Sequence, residues 1–143
     1  MDPSKIYDVV IIGAGISGIS SASHLQTYSP EAEYIIFENR KDIGGTWDLF
    51  KYPGIRSDSD MHTMGLKLFP WPGKKFLADG PSIKSYLMKA VEHFNIKEKI
   101  SFNTNVIAIN WNSLESLWYV KIKNNESNKA FEINAENHIK FKL

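Results

Sequence analysis

At 143 residues, with 17 lysines and arginines against 16 aspartates and glutamates and no cysteine, the chain has room for one domain and one sizeable core. The balanced charge gives no reason to expect a nucleic-acid or anionic-membrane partner, and the lack of cysteine excludes disulfides, thiolate metal sites and a cysteine nucleophile. The opening MDPSKIYDVVIIGAG is a poor signal peptide and no apolar run approaches the ~20 residues of a membrane span, so a reducing, cytoplasmic setting is the expectation.

Tyr7 to Ile12 is a short, β-branched apolar run of the kind that forms a parallel strand buried on both faces. It stops at Gly13, Gly15 and Gly18, in G-x-G-x-x-G spacing. Behind them Ile16, Ile19, Ala22 and Leu25 recur at helical intervals until Ser29-Pro30 ends the helix. A second apolar run from Tyr34 ends in the acidic Glu38, 20 positions after Gly18. Together these predict a βαβ unit over about 6–38. Each part suits a dinucleotide. Gly13 permits the tight turn, Gly15 lets backbone approach a pyrophosphate, and Gly18 lets the helix pack on the strand. The helix N-terminus, at Ile16, Ser17 and Gly18, presents its N–H groups to the phosphates. Glu38 would accept hydrogen bonds from a ribose diol and repel a 2′-phosphate, which leaves FAD or NAD at this site and disfavours NADP. Arg40 is the counter-argument; it either borders an adenine or is a solvated loop charge.

The next segment is Ile43-Gly44-Gly45-Thr46-Trp47, then Tyr52-Pro53-Gly54-Ile55-Arg56-Ser57-Asp58, then Met61 to Trp71 (MHTMGLKLFPW). At these residues the chain resembles the class B flavoprotein monooxygenases, which comprise the Baeyer–Villiger and the flavin-containing monooxygenases, and it looks most like the Baeyer–Villiger branch. The resemblance runs from about Asp8 to Trp71. It implies FAD at the first glycine motif, with Glu38 on the adenosine ribose and Asn39 and Arg40 beside it. Gly45, Thr46 and Trp47 then line the flavin side of a loop over about 43–72. Asp58 matches the aspartate of the family's R-x-D element, close to the flavin, and is the candidate catalytic residue. Read physically, paired glycines permit backbone contact with a ligand and a flat indole can flank a ring system. The alternatives are a core aromatic for Trp47 and a turn or cap residue for Asp58.

Asp79-Gly80-Pro81-Ser82 reads as a helix start, and Ile83, Tyr86, Leu87, Ala90, Val91 and Phe94 make one apolar stripe, predicting a helix over about 82–94. Ile100 to Phe102 resembles a short strand feeding Asn105 to Trp111, Trp118 to Lys123 and Ala130 to Ala135, an antiparallel β-meander over about 100–135. In the family such a meander links the halves of the FAD domain, and Val106 sits where a backbone amide would meet the adenine. The fold class expected is α/β, a Rossmann-like FAD-binding βαβ sheet with an antiparallel meander. His24, His62, His93 and His138 are scattered, so no metal site is expected. The serines at 17, 20, 21 and 23 read as small residues on a closely packed helix.

The last glycine is Gly80, so no second G-x-G-x-x-G follows it. The resemblance therefore implies a partial FAD-binding domain over residues 1–143, with the family's NADPH-binding domain absent. After Ala135 the family returns a strand to the parallel sheet. Here Lys140 and Lys142 alternate with Ile139 and Phe141 before Leu143, which reads as a half-exposed strand poorly matched to a central position, as if truncated or frameshifted there. In the full family, NADPH delivers hydride to FAD and the reduced flavin activates oxygen for transfer to a ketone, sulfide or amine. The expectation is thus an oxidoreductase fragment inactive alone. An FAD- or NAD-binding module without catalysis and a non-functional remnant are the alternatives.

Overall fold

The apolar run before the glycines forms β1 (Ile6–Ile12), with Val10 and Ile11 wholly buried in two different clusters, one on each face of the sheet. The computed structural model describes residues 5–140, so Phe141, Lys142 and Leu143 lie outside the described residues. α1 (Ile16–Tyr28) follows the glycine turn, and β2 (Tyr34–Phe37), buried throughout, pairs parallel with β1 from Val9 opposite Tyr34 to Ile12 opposite Phe37. This is the βαβ unit read from the pattern, with Glu38 just past its second strand. Gly18 is what lets α1 lie on β1. A Cβ there would stand 1.9 Å from the Gly13 carbonyl oxygen, a distance no side chain tolerates.

Two one-turn helices, α2 (Thr46–Leu49) and α3 (Met61–Met64), interrupt the long segment that leads to α4 (Gly80–His93). Asp79 caps α4 by accepting the Ser82 amide at 2.8 Å, with Pro81 in the first turn, so the helix begins slightly earlier than its apolar stripe suggests. Tyr86 belongs to that stripe but also has a polar task. Its hydroxyl accepts the Leu66 amide at 2.7 Å and donates to the Phe69 carbonyl at 2.5 Å, pinning the otherwise irregular loop to the helix.

β3 (Ile100–Ser101) pairs parallel with β2, Ile36 opposite Ile100, and so extends the parallel side of the sheet instead of joining the meander. The meander itself is β4 (Thr104–Asn112), β5 (Leu117–Asn124) and β6 (Ala130–Lys140), antiparallel in sequence. All six strands form one sheet in the order β3-β2-β1-β6-β5-β4.

β6 corrects the sequence reading. Its first half pairs with β5, from Lys123 opposite Ala130 to Trp118 opposite Ala135. The strand then runs on parallel to β1, from Ile6 opposite Asn134 to Ile12 opposite Lys140. The polar run after Ala135 therefore does take the central position beside β1. It can do so because the pairing is made by backbone and the side chains of Glu136 and Asn137 stay exposed.

Two apolar clusters lie on the two faces of β1 and β2. Ile11, Ile19, Ile36, Ile83 and Leu87 form the helix side, and Val10, Phe37, Val120, Ile122 and Ile133 form the meander side. No helix among the described residues is long and apolar enough to cross a membrane.

Two outcomes are expected. Gly18→Ala should destabilise the chain by at least ~2 kcal/mol in urea unfolding, because α1 must lift from β1. Ile133→Ala should cost about 2–5 kcal/mol in the same assay if the meander side is true core, and an effect below ~1 kcal/mol would show that it is not.

Candidate functional site

Where β1, β2 and the glycine turn end, a cavity of about 400 Å³ opens. Its walls bring together Gly13, Gly15, Ile16, Ser17, Gly18, Glu38, Asn39, Arg40, Gly45, Thr46, Trp47 and Val106, which are all the sequence-predicted cofactor residues except Asp58. The elements explain the convergence. Glycine turn and α1 supply one wall, the end of β2 supplies Glu38 to Arg40, α2 supplies Thr46 and Trp47, and the start of β4 supplies Val106.

Ala14 fastens two of these walls. Its amide donates to Glu38 Oε2 at 2.7 Å, and its carbonyl accepts the Gly44 amide at 3.0 Å. Glu38 is only 5% exposed, and a buried carboxylate of this kind needs donors. It also accepts the Arg40 amide, at 2.9 Å through Oε1. Gly45 has φ +55 and a Cβ there would stand 3.0 Å from Gly15 Cα, so the two glycine loops meet backbone to backbone.

Arg40 is no solvated loop charge. Its Nη2 donates to the Gly45 carbonyl at 2.6 Å, its Nη1 lies 3.6 Å from Asp48 Oδ2, and its Nε lies 3.8 Å from Glu38 Oε1. From α4, Lys84 Nζ reaches Asp48 Oδ1 at 2.7 Å and Asp42 Oδ2 at 2.5 Å. The hydrogen bond from Lys84, supported by the Arg40 charge, holds the Asp48 carboxyl below the usual carboxylate range, and the bonds to Asp42 and Asp48 raise Lys84 in turn.

The far wall closes through the meander. Thr104 N donates to the Glu38 carbonyl at 2.9 Å and Asn103 N to the Arg40 carbonyl at 3.0 Å, which brings the start of β4 against the end of β2. Asn125 Nδ2 donates to Asn39 Oδ1 at 2.8 Å and to its carbonyl at 2.7 Å, so Asn39 is held from across the sheet.

Asp58 is exposed and lines neither this cavity nor the neighbouring groove of about 1080 Å³. The adjoining Ser57 is the buried residue of that stretch; its amide and hydroxyl pair with the Ala78 carbonyl and amide at 2.9 and 3.1 Å. Trp47 lies in the wall between cavity and groove. Sequence reasoning passed over Ile12, Phe37, Gly44, Leu49, Thr104 and Asn105, which also line the cavity. Gly44 lay inside the quoted GGTW run, whereas nothing in the pattern marks Thr104 or Asn105, because only the curl of the meander brings them here.

Residues 11–73 match the NAD(P)-binding Rossmann-like domain. The sequence is 51% identical over 117 residues to the FAD-containing monooxygenase EthA of Mycolicibacterium smegmatis, covering 82% of this chain and 24% of the relative. It is 50% identical over 119 residues to the probable FAD-binding monooxygenase AlmA of Acinetobacter baylyi, covering 83% and 24%. The fold superposes on OTEMO in complex with FAD and NADP with a TM-score of 0.81 and 27% identity, over 98% of this chain and 25% of that one. The match to an oxidized steroid monooxygenase bound to NADP has a TM-score of 0.80 and 25% identity, over 95% and 26%. Over four-fifths of its length the chain is similar to the N-terminal portion of FAD-containing monooxygenases. It spans about a quarter of the length of the curated relatives it matches.

The Asp48 shift sets a pH dependence. A carboxyl depressed in the fold stabilises it fully above ~pH 4, its ordinary value, and loses that contribution as pH falls through the lowered one. Urea unfolding of Asp48→Asn between neutral and acid pH should therefore show a shallower acid decline than the parent. The remaining slope belongs to the other lowered carboxyls, Glu33, Asp60 and Asp79. Identical slopes would show that the Lys84 contact does not persist in solution.

Proposed function

We propose that these residues bind FAD and form the FAD-binding portion of an FAD- and NADPH-dependent monooxygenase that acts on a small-molecule ketone, sulfide or amine, and that residues 1–143 do not turn over alone. The observation that carries this reading is the single cavity that joins the glycine turn, the buried acid Glu38 and the Gly44–Trp47 turn. Its donor set suits the cofactor. α1 starts at Gly15 with no side-chain cap and no acid in its first turn, so its N-terminus offers backbone donors and a positive dipole end to a pyrophosphate. Glu38 would take the ribose diol, the backbone at Val106 would meet the adenine, and Gly45, Thr46 and Trp47 would border the flavin.

Bound there, FAD would supply two-electron redox chemistry, accepting hydride and passing electrons to oxygen. The share of these residues is to hold and orient: the glycine loops bring backbone close, and Trp47 walls the ring end off from the outer groove. Asp58 keeps its place through the family's R-x-D element alone, since the cavity does not require it. The relatives' names and structures, with FAD and NADP in them, support this assignment.

The test is an absorbance spectrum of the purified chain before and after FAD, with NADPH oxidation followed in the same cuvette. Flavin bands that stay with the protein while NADPH is untouched are expected. NADPH-dependent oxygen uptake would show that residues 1–143 turn over unaided, and no retained flavin would overturn the assignment. Glu38→Gln should weaken FAD binding by on the order of tenfold or more in titration, since a hydrogen bond to a charged acceptor is worth about 1.5–3 kcal/mol.

A further inference from the structure

We infer that Lys84 is a positioning residue for the flavin end of the cavity, fixing the Gly44–Trp47 turn from the neighbouring helix α4. The inference rests on the FAD reading above and extends it to a residue that touches neither the glycine loop nor Glu38.

The turn cannot hold itself. α2 is a single helical turn, and so short a helix has no stability of its own. Gly44 and Gly45 take φ of +120 and +55, conformations that glycine permits without enforcing. One backbone hydrogen bond, Gly44 N to the Ala14 carbonyl, ties the turn to the glycine loop. Besides the packing of Ile43 and Trp47 on the helix-side core, the ties are made by charged side chains. Arg40 binds the Gly45 carbonyl, and Asp48, the third residue of α2, is held by Lys84.

Lys84 is placed to do this rigidly. It follows Ile83, which is wholly buried, on a helix whose other face carries Tyr86 and Leu87 into the core. Its side chain is 23% exposed, and a Cβ on Gly44 would stand 3.5 Å from its Cγ, so its stem packs along the turn before its ammonium reaches Asp42 and Asp48. Asp42 precedes the turn and Asp48 follows it. One cation thus brackets the Gly44–Trp47 segment at both ends, and Trp47 stands beside the clamped aspartate in the cavity wall.

The adenosine end has separate supports. Glu38 is held by the amides of Ala14 and Arg40, and β4 is held by the carbonyls of Glu38 and Arg40, none of which involves Lys84. Loss of the clamp should therefore be felt by a ligand that extends to the flavin side and not by one that stops at the pyrophosphate.

Binding of FAD and of ADP to the wild-type chain, Lys84→Met and Lys84→Arg separates the cases. Lys84→Met should bind FAD about tenfold more weakly, equivalent to 1.4 kcal/mol, with ADP affinity unchanged, and Lys84→Arg should recover most of the loss. Unchanged FAD affinity in Lys84→Met, or an equal loss for FAD and ADP, overturns the positioning role while leaving the FAD assignment intact. A wild-type chain that binds ADP but not FAD overturns the assignment and the inference together.

Discussion

The backbone of Ala14 is the joint on which the site depends. Its N–H faces the buried acid at the end of β2 and its C=O faces the turn that leads into α2, so one residue holds the two halves of the cavity wall at a set distance. That residue can serve both only because the glycines around it have no Cβ. Gly18 lets α1 settle on the preceding turn, which aims the Ala14 backbone, and Gly45 lets the opposite loop come close enough to reach it. A buried carboxylate without donors, or a loop peptide without an acceptor, would be costly on either side. The geometry is consequently set by backbone contacts, which suits the pyrophosphate proposed for this site.

The meander contributes more than a second layer of core. By carrying β4 back to the end of β2, it completes the cavity with Thr104, Asn105 and Val106 and covers Phe37 and Ile35 on the face away from the helices. A β-bulge between Val106 and Ala108 shifts the register just beyond the cavity wall. The same curl lets the Asn125 amide hold Asn39, tying the tip of the β5–β6 connection to the acid-bearing loop.

Where spacing encodes geometry, the sequence was readable. The βαβ unit, its glycines and Glu38 follow from local rules, because period, turn and cap are all written within a few residues of one another. Of the residues read as cofactor-binding all but Asp58 reach the cavity wall, with family resemblance supplying the GGTW turn and Val106, whereas Thr104 and Asn105 were not readable. The polar end of β6 was misread because alternation reports how side chains are covered, not which backbone pairs with which; Glu136 and Asn137 sit exposed in a strand that nonetheless flanks β1. The pairing of β3 with β2 was not readable, since two residues carry no periodicity at all. The charge cluster of Arg40, Asp42, Asp48 and Lys84 was invisible because its last member lies on a helix whose pattern core packing explains completely.

The sheet order has a consequence in time. Among the described strands β1 precedes all the others and β6 follows them, yet the two are neighbours, and the cavity lies at the end of the strand between β6 and β2. The N-terminal βαβ unit can form from local contacts soon after synthesis, but one edge of its central strand stays bare until more than a hundred further residues have emerged. Pairing of β6 with β1 is what joins the meander, with β4 at its far side, to the glycine-turn unit.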